Sequence, residues 1–220
     1  MVAYKMVPMS IYHWIVLAGF AICLASCLYH FFRIIASGIP GDNAVAKGKI
    51  GPAVAYSFTK GMSPKKKETA FMHLPTYAAG LLFHLGTFLG FAWLILVFFG
   101  MEISPWLHYV SAGLLFLSGI TGLGILLKRM VNKNMRSLSN PDDYISNLLV
   151  SGFQLLVAIT LILTKTAPAL FIYAALFFLY IPIGKLRHMV YFFTSRFHLG
   201  VFYGRRGTWP VKKQRIWEEN

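Results

Sequence analysis

The feature that most constrains this chain is an apolar run from Phe71 to Phe99 that contains no Asp, Glu, Lys or Arg. At about 1.5 Å per residue, a helix of that length exceeds the ~30 Å hydrocarbon thickness of a bilayer. The run therefore predicts a transmembrane helix. It also contains two histidines, His73 and His84. Because an ionisable side chain at membrane depth is costly and rare without a function, His84 is the first residue to explain.

The composition indicates an integral membrane protein with several such helices. Of the 220 residues, 57% are apolar and 13% are charged, and the mean hydropathy is +0.61, whereas soluble domains carry about 25% charged residues. Hydropathy predicts an all-α fold, a single domain over 1–220 with a basic cytoplasmic tail at 194–220. The first apolar segment is too long for a removable signal peptide. The five predicted transmembrane helices are 11–35, 70–99, 106–127, 144–164 and 167–193.

The distribution of charge predicts the orientation. The formal net charge is +14, and 19 of the 21 Lys and Arg residues lie on one side of the predicted topology. This bias places the N-terminus outside and the C-terminus in the cytoplasm. It also explains the excess of positive charge, so a nucleic-acid partner is not needed to account for that excess. The two cysteines, Cys23 and Cys27, cannot hold an iron–sulfur cluster, so any such centre must belong to another subunit.

Two histidines are predicted to lie at matched depths. His84 lies in the inner half of the second helix, and His188 lies about 20 residues into the fifth. Their depths differ by only ~6 Å, which helix tilt can absorb. Two facing imidazoles at one depth suit bis-histidine ligation of haem iron in a helix bundle.

The neighbours of this pair fit a haem. Lys185 and Arg187 would neutralise the haem propionates, although both also satisfy the positive-inside pattern. Small residues would let a flat macrocycle approach the backbone, although helix packing is an alternative role for the glycines among them. These small residues are Ala78, Ala79, Gly80, Gly86 and Gly90.

Three segments resemble a known family: Phe-His-Leu-Gly at 83–86, Ile-Leu-Leu-Lys-Arg at 125–129 and Pro-Ile-Gly-Lys-Leu-Arg-His at 182–188. They look like the respiratory nitrate reductase gamma-subunit family. That family comprises the five-helix membrane cytochrome b of nitrate reductase and relatives paired with heterodisulfide-reductase-like iron–sulfur proteins. The resemblance covers most of the chain through short motifs.

The resemblance implies a quinone-linked electron-transfer subunit of the inner membrane of a prokaryote, not catalytic alone. His84 and His188 would ligate haem b, and menaquinone or ubiquinone would be the substrate. The partner would be a cytoplasmic iron–sulfur subunit, heterodisulfide-reductase-like or ferredoxin-like, with further catalytic subunits. The Gly-Arg-Arg-Gly sequence at 204–207 favours the heterodisulfide-reductase type.

The chain departs from the family at the second, outer haem, because Leu94 and Leu170 stand where its ligands are expected. Two other histidine pairs have matched predicted depths, His73 with His198 and His13 with His108. His108, near Trp106 and Tyr109, is also a candidate quinone-binding residue, or an ordinary member of an interfacial aromatic belt. His30 is interpreted as interfacial.

The alternative is a haem-free transporter or channel that uses the same histidines for protons or metal. Against it, all seven acidic residues lie outside the predicted spans, whereas proton- or cation-coupled carriers place a carboxylate at mid-membrane. An intramembrane zinc peptidase would need a motif such as His-Glu-x-x-His, which does not occur. A purely structural anchor would not explain a matched histidine pair.

Overall fold

The structure, a computed structural model, describes residues 9–39, 41–63, 73–101 and 103–211, and every regular element within these ranges is helical. Short 3₁₀ turns occupy Lys60–Met62, Thr164–Thr166 and Lys185–Arg187. The α-helices are α1 (Ile11–Ala36), α2 (Ile50–Phe58), α3 (Leu74–Phe98), α4 (Pro105–Val131), α5 (Lys133–Ser137), α6 (Pro141–Ile162), α7 (Ala167–Tyr180) and α8 (His188–Arg205).

Four of these helices, α1, α3, α4 and α6, are long and apolar enough to cross a membrane. A fifth span is counted if the segments 164–180 and 185–205 form one broken crossing. The prediction of an all-helical chain with several membrane-spanning helices is confirmed at this level. Serine followed by proline at 63–64 also predicts that the second helix starts before residue 70, and that start lies largely outside the described residues.

The fifth predicted helix, 167–193, is not continuous. The α-helix α7 ends at Tyr180, and a non-helical stretch precedes the 3₁₀ turn Lys185–Arg187. Pro182 explains the break, because proline lacks a backbone N–H and its ring clashes with the preceding turn. The carboxylate of Asp142 stabilises the new path by accepting a hydrogen bond from the backbone N–H of Lys185 at 2.7 Å.

The helix α6 begins three residues before the predicted position because of its cap. The side chain of Asn140 accepts a hydrogen bond from the backbone N–H of Asp143, and the Asp143 carboxylate accepts one from the backbone N–H of Asn140. This reciprocal capping box, with Pro141 at the first helical position, is a strong start signal. It places two carboxylates in the first turn of α6.

The chain comprises two compact units, and the first contains residues 1–27 and 75–187. Its core contains four large apolar side chains that are at most 2% exposed: Leu115, Phe153, Leu170 and Phe177. Small residues let its helices approach closely, since a Cβ atom on Gly19 would lie only 2.9 Å from the Cα atom of Ala175.

The second unit contains residues 28–74 and 188–220, and its main contact is between α2 and α8. A Cβ atom on Gly200 would lie 2.5 Å from the Cα atom of Val54, so the two backbones nearly touch. The buried Ser57 hydroxyl donates to the carbonyl oxygen of Arg196 at 2.8 Å. The sequence predicts an irregular loop with one short interfacial helix between the first two spans; α2 is a short helix in that interval, and its interfacial location stays a prediction. The predicted tail is helical as far as Arg205, and residues 212–220 lie outside the described ranges.

Candidate functional site

His84 lies in the middle of α3, in the first unit, with its side chain exposed. Its Nδ1 atom lies 2.7 Å from the carbonyl oxygen of Gly80. A carbonyl oxygen only accepts hydrogen bonds, so Nδ1 carries the proton, and in the neutral ring Nε2 carries the lone pair. Among the described residues, a Cβ atom on Gly80 would meet no other atom within 4 Å.

His188 is the first residue of α8, in the second unit, and is also exposed. That the imidazoles of His84 and His188 face each other across a haem therefore stays a prediction. Within the described ranges, no group of three or more His, Cys, Asp or Glu side chains is placed to hold a metal ion. Haem iron needs only two axial ligands from the protein.

The two predicted propionate partners lie in the 3₁₀ turn that precedes His188. The Lys185 ammonium forms an ion pair with Asp143 at 2.6 Å, and the Asp143 carboxylate also lies 3.6 Å from the Arg129 guanidinium. Lys185 therefore has a carboxylate partner that its sequence neighbourhood does not indicate. The Arg187 side chain is exposed.

Two of the small residues assigned to a macrocycle serve helix packing instead. Gly86 is buried against α4, where an added Cβ atom would overlap the side chain of Ser118. Gly90 is buried against α6, and its Cβ atom would lie 2.9 Å from the Phe153 ring. Their predicted place beside a haem is therefore wrong. Gly80 is the glycine of this group whose Cβ atom would meet none of the described residues within 4 Å.

His13 and His108 lie against different parts of α3. The buried His13 ring lies 5.1 Å from the Phe98 ring, and its Nδ1 atom lies 2.8 Å from the Ser10 hydroxyl. The His108 ring lies 4.8 Å from the Trp93 ring. Because residues 93 and 98 are about 140° apart around an α-helix, the two imidazoles contact different faces of α3. This arrangement does not support their pairing on a second haem.

His73 and His198 both belong to the second unit. His73 is exposed in the turn just before α3 begins at Leu74, rather than inside a continued helix. His198 is half-buried in α8 and lines an apolar groove of about 380 Å³. The other lining residues are Phe31, Ile34, Ile35, Gly38, Ile39, Phe193, Thr194 and Phe197. His30, interpreted as interfacial, has ring contacts with Tyr29 and Tyr191.

A buried polar group in the first unit was not identified from the sequence. Gln154, on α6, is fully buried, and its Nε2 atom donates to the carbonyl oxygen of Phe83 at 2.9 Å and to the Thr87 hydroxyl at 2.8 Å. Among the described residues its Oε1 atom has no hydrogen-bond partner. The available signal was a glutamine inside an otherwise apolar helix.

The Gly-Arg-Arg-Gly sequence makes contacts within the chain. The Arg206 guanidinium pairs with both oxygens of Asp42, at 2.6 and 3.0 Å, and Arg205 Nε donates to the carbonyl oxygen of Ala44. The backbone N–H of Ala44 and the charge of Arg206 together hold the pKa of Asp42 below its usual range, despite the opposing effect of desolvation. These two arginines thus close a loop of the second unit onto the end of α8.

Comparison with protein-family models, with curated proteins and with solved structures found no match.

Proposed function

We propose that this protein is the membrane-anchor cytochrome b subunit of a respiratory oxidoreductase complex. It would pass electrons between membrane quinone and a cytoplasmic iron–sulfur partner through haem b ligated by His84 and His188. The proposal includes the orientation from the charge bias, with the N-terminal end of α1 outside. On its own the subunit would not be catalytic.

The observation that carries the proposal is the hydrogen bond from His84 to Gly80, on a helix able to span a membrane. Metal-ligating histidines commonly donate their second ring N–H to a carbonyl oxygen, which fixes the tautomer and the ring orientation. Because the 2.7 Å contact requires a proton on Nδ1, the lone pair of the neutral ring is on Nε2, which is the nitrogen that would bind iron. The lack of any described atom within 4 Å of a Cβ atom on Gly80 supports the approach of a flat ring.

An exposed imidazole on a helix with this hydropathy also requires an explanation. The candidate span Leu74–Phe98 has a mean hydropathy of 2.2, and a polar ring on its surface is costly in hydrocarbon. Ligation of haem iron is the function that we propose for this imidazole. When bound, haem b supplies reversible one-electron transfer, while the protein supplies axial ligands, geometry and electrostatic tuning. The resemblance of the segments around His84 and His188 to a family of membrane cytochromes b supports the same function.

The charge of the second unit supports an acidic partner. Its described residues include the single acid Asp42, which is already paired with Arg206. A surface with this charge attracts a partner of opposite charge and accelerates association. The cations among the described residues of this unit are Arg33, Lys47, Lys49, Lys60, Arg196, Arg205 and Arg206.

The direct test is a reduced-minus-oxidised optical spectrum of the purified protein, with pyridine haemochrome quantified per chain. At least one haem b per chain is expected in the wild type. His84→Ala and His188→Ala should each lose the haem assigned to this pair while membrane insertion is retained. His30→Ala is the matched control, because it removes an imidazole whose ring contacts are with Tyr29 and Tyr191, and it should retain haem.

Two results would contradict the proposal. If either axial-ligand variant keeps its full haem content, the histidine that was substituted is not an axial ligand. A wild-type protein without haem would exclude the cytochrome and favour the transporter or channel. Two haems per chain would instead assign a further histidine pair.

A further inference from the structure

Gln154 connects α6 to the turn of α3 that carries His84. It is 0% exposed, and its Nε2 atom donates to Phe83 O at 2.9 Å and to Thr87 Oγ1 at 2.8 Å. Thr87 Oγ1 in turn donates to Phe83 O at 2.8 Å. The carbonyl that Gln154 binds therefore belongs to the residue immediately before His84.

A second contact from α4 holds the same turn. The fully buried Ser118 hydroxyl donates to the carbonyl oxygen of Leu82 at 3.0 Å. Gly86 permits this approach, because any larger residue there would overlap Ser118. Two consecutive carbonyls before His84, those of residues 82 and 83, are thus each bound by a buried side chain of a neighbouring helix.

These contacts act on the backbone and not on the imidazole. One residue corresponds to about 100° around an α-helix, so the His84 side chain points well away from Phe83 and from the face that α6 covers. The hydrogen bond to Gly80 fixes the ring relative to α3. The contacts of Gln154 and Ser118 fix α3, both in rotation and in depth, relative to α6 and α4.

We propose that Gln154, assisted by Ser118, is a positioning residue that sets the orientation of the His84 imidazole. The inference rests on the proposed function, since it assumes that His84 ligates haem iron. A buried glutamine in a membrane-spanning helix is costly unless it is hydrogen-bonded, and its two donor contacts are both to α3. An apolar side chain would pack as well at this position without defining the rotation of α3.

The test compares Gln154→Met with Thr160→Val in the full-length protein. Methionine keeps the approximate length and volume of glutamine but cannot donate to Phe83 or Thr87. Thr160 is a matched control, because it is 2% exposed on the same helix and its hydroxyl bonds to Leu156 O and Thr166 Oγ1 rather than to α3. Thr87→Val keeps Gln154 but removes the hydroxyl that accepts one of its two hydrogen bonds. It serves as a second variant if Gln154→Met is not expressed as folded protein.

Two measurements separate positioning from general stability. The first is the electron paramagnetic resonance signal of oxidised low-spin haem, which depends on the relative orientation of the two axial imidazoles. The second is hydrogen exchange of backbone amides in α3 near His84, which needs no haem. Each lost interhelical hydrogen bond should accelerate local opening of this turn about threefold to tenfold.

The expected result is a shifted resonance signal and faster exchange in Gln154→Met and, less strongly, in Thr87→Val, with both unchanged in Thr160→Val. Haem present with an unchanged signal in Gln154→Met overturns this inference alone and leaves the proposed function intact. An equal change in Thr160→Val also overturns it, because the effect would then follow from general loosening of α6. A wild-type protein that contains no haem overturns the proposed function and this inference with it.

Discussion

Asp42 and Arg206 lie 164 residues apart in the sequence and form a two-pronged ion pair, with nitrogen–oxygen distances of 2.6 and 3.0 Å. The guanidinium carbon of Arg206 also lies 3.6 Å from the centre of the Phe202 ring. The backbone N–H of Lys47 donates to the carbonyl oxygen of Arg205 at 2.7 Å. The ion pair and the backbone hydrogen bonds therefore hold the loop that follows α1 against the end of α8, while the Phe202 ring packs on the guanidinium from within the α8 end.

This ion pair predicts a stability loss in acid within the second unit. Because the pKa of Asp42 is lower in the folded than in the unfolded state, its contribution is present above the unfolded pKa. It is lost as the pH falls through the folded pKa. Hydrogen exchange of peptides from the 42–48 loop and from α8 should accelerate as the pH is lowered from about 6 to about 3, after correction for intrinsic exchange.

The control for this prediction is Asp42→Asn, whose amide does not titrate. The variant should show fast exchange in both segments at all these pH values, with no acid-dependent step from this pair. An identical acid step in the variant and the wild type would assign the effect to another group.

Asp142→Ala is expected to destabilise the first unit. The Asp142 carboxylate accepts hydrogen bonds from the Tyr180 hydroxyl, the Ser146 hydroxyl and the backbone N–H of Lys185. The substitution removes the acceptor at the break after α7, which costs about 1–3 kcal/mol. Thermal unfolding in detergent measures the change.

Lys185→Met is the comparison for Asp142→Ala. It keeps the backbone N–H and removes the ammonium group of the ion pair with Asp143, in which the lysine side chain is 48% exposed. Exposed ion pairs contribute about 0–1 kcal/mol, so the melting temperature should change little. A larger effect of Lys185→Met than of Asp142→Ala would show that charge, and not the backbone contact, stabilises the break.

Gly200→Ala is expected to disrupt the contact between α2 and α8. Its Cβ atom would lie 2.5 Å from the Cα atom of Val54, and backbone atoms can only yield by moving the helices apart. Overpacking of this kind costs about 1–3 kcal/mol. Gly51→Ala is the control on α2, since its Cβ atom would meet no atom within 4 Å. Proteolysis of the 41–63 segment should accelerate in the first variant only, and equal rates would contradict the observed packing.

His108→Phe tests the proposed quinone role. Phenylalanine can keep the ring contact with Trp93, which has a centroid distance of 4.8 Å, but it removes both ring nitrogens. If His108 exchanges protons with quinol, haem reduction by a soluble quinol analogue should slow at least about tenfold while haem content is unchanged. Tyr109→Phe is the control, because that side chain is 67% exposed. Equal rates of haem reduction in the wild type and in His108→Phe would contradict the quinone role and support the interpretation of His108 as a member of an interfacial aromatic belt.

The positions of the long helices were predictable because hydropathy and capping are local. The predicted 11–35, 70–99 and 106–127 segments correspond to α1, α3 and α4. The earlier start of α6 was also readable, since Asn140, Pro141 and Asp143 form a complete start signal. The break after Tyr180 was missed because apolar residues on both sides of Pro182 keep the hydropathy high through the turn.

The contacts between distant segments were not predictable from one sequence. Gln154 stands out in an apolar helix, but nothing local indicates that it binds Phe83 and Thr87, about 70 residues earlier. Similarly, the glycines of α8 are compatible with a flexible tail, and only their partners on α2 reveal a packed helix pair. Gly86 and Gly90 were assigned to a macrocycle for the same reason, because spacing alone does not identify the neighbouring helix.

The pairing of α2 with α8 has a consequence for biosynthesis. Ser57 and Arg196, which are joined by a hydrogen bond, are 139 residues apart in the sequence. At about 5–20 residues per second, α2 is synthesised roughly 7–28 seconds before its partner. The pairing of α2 with α8 therefore forms late, after α3, α4 and α6 have been synthesised. A ribosome that stalls before α8 would leave α2 without the surface that it covers in the finished protein.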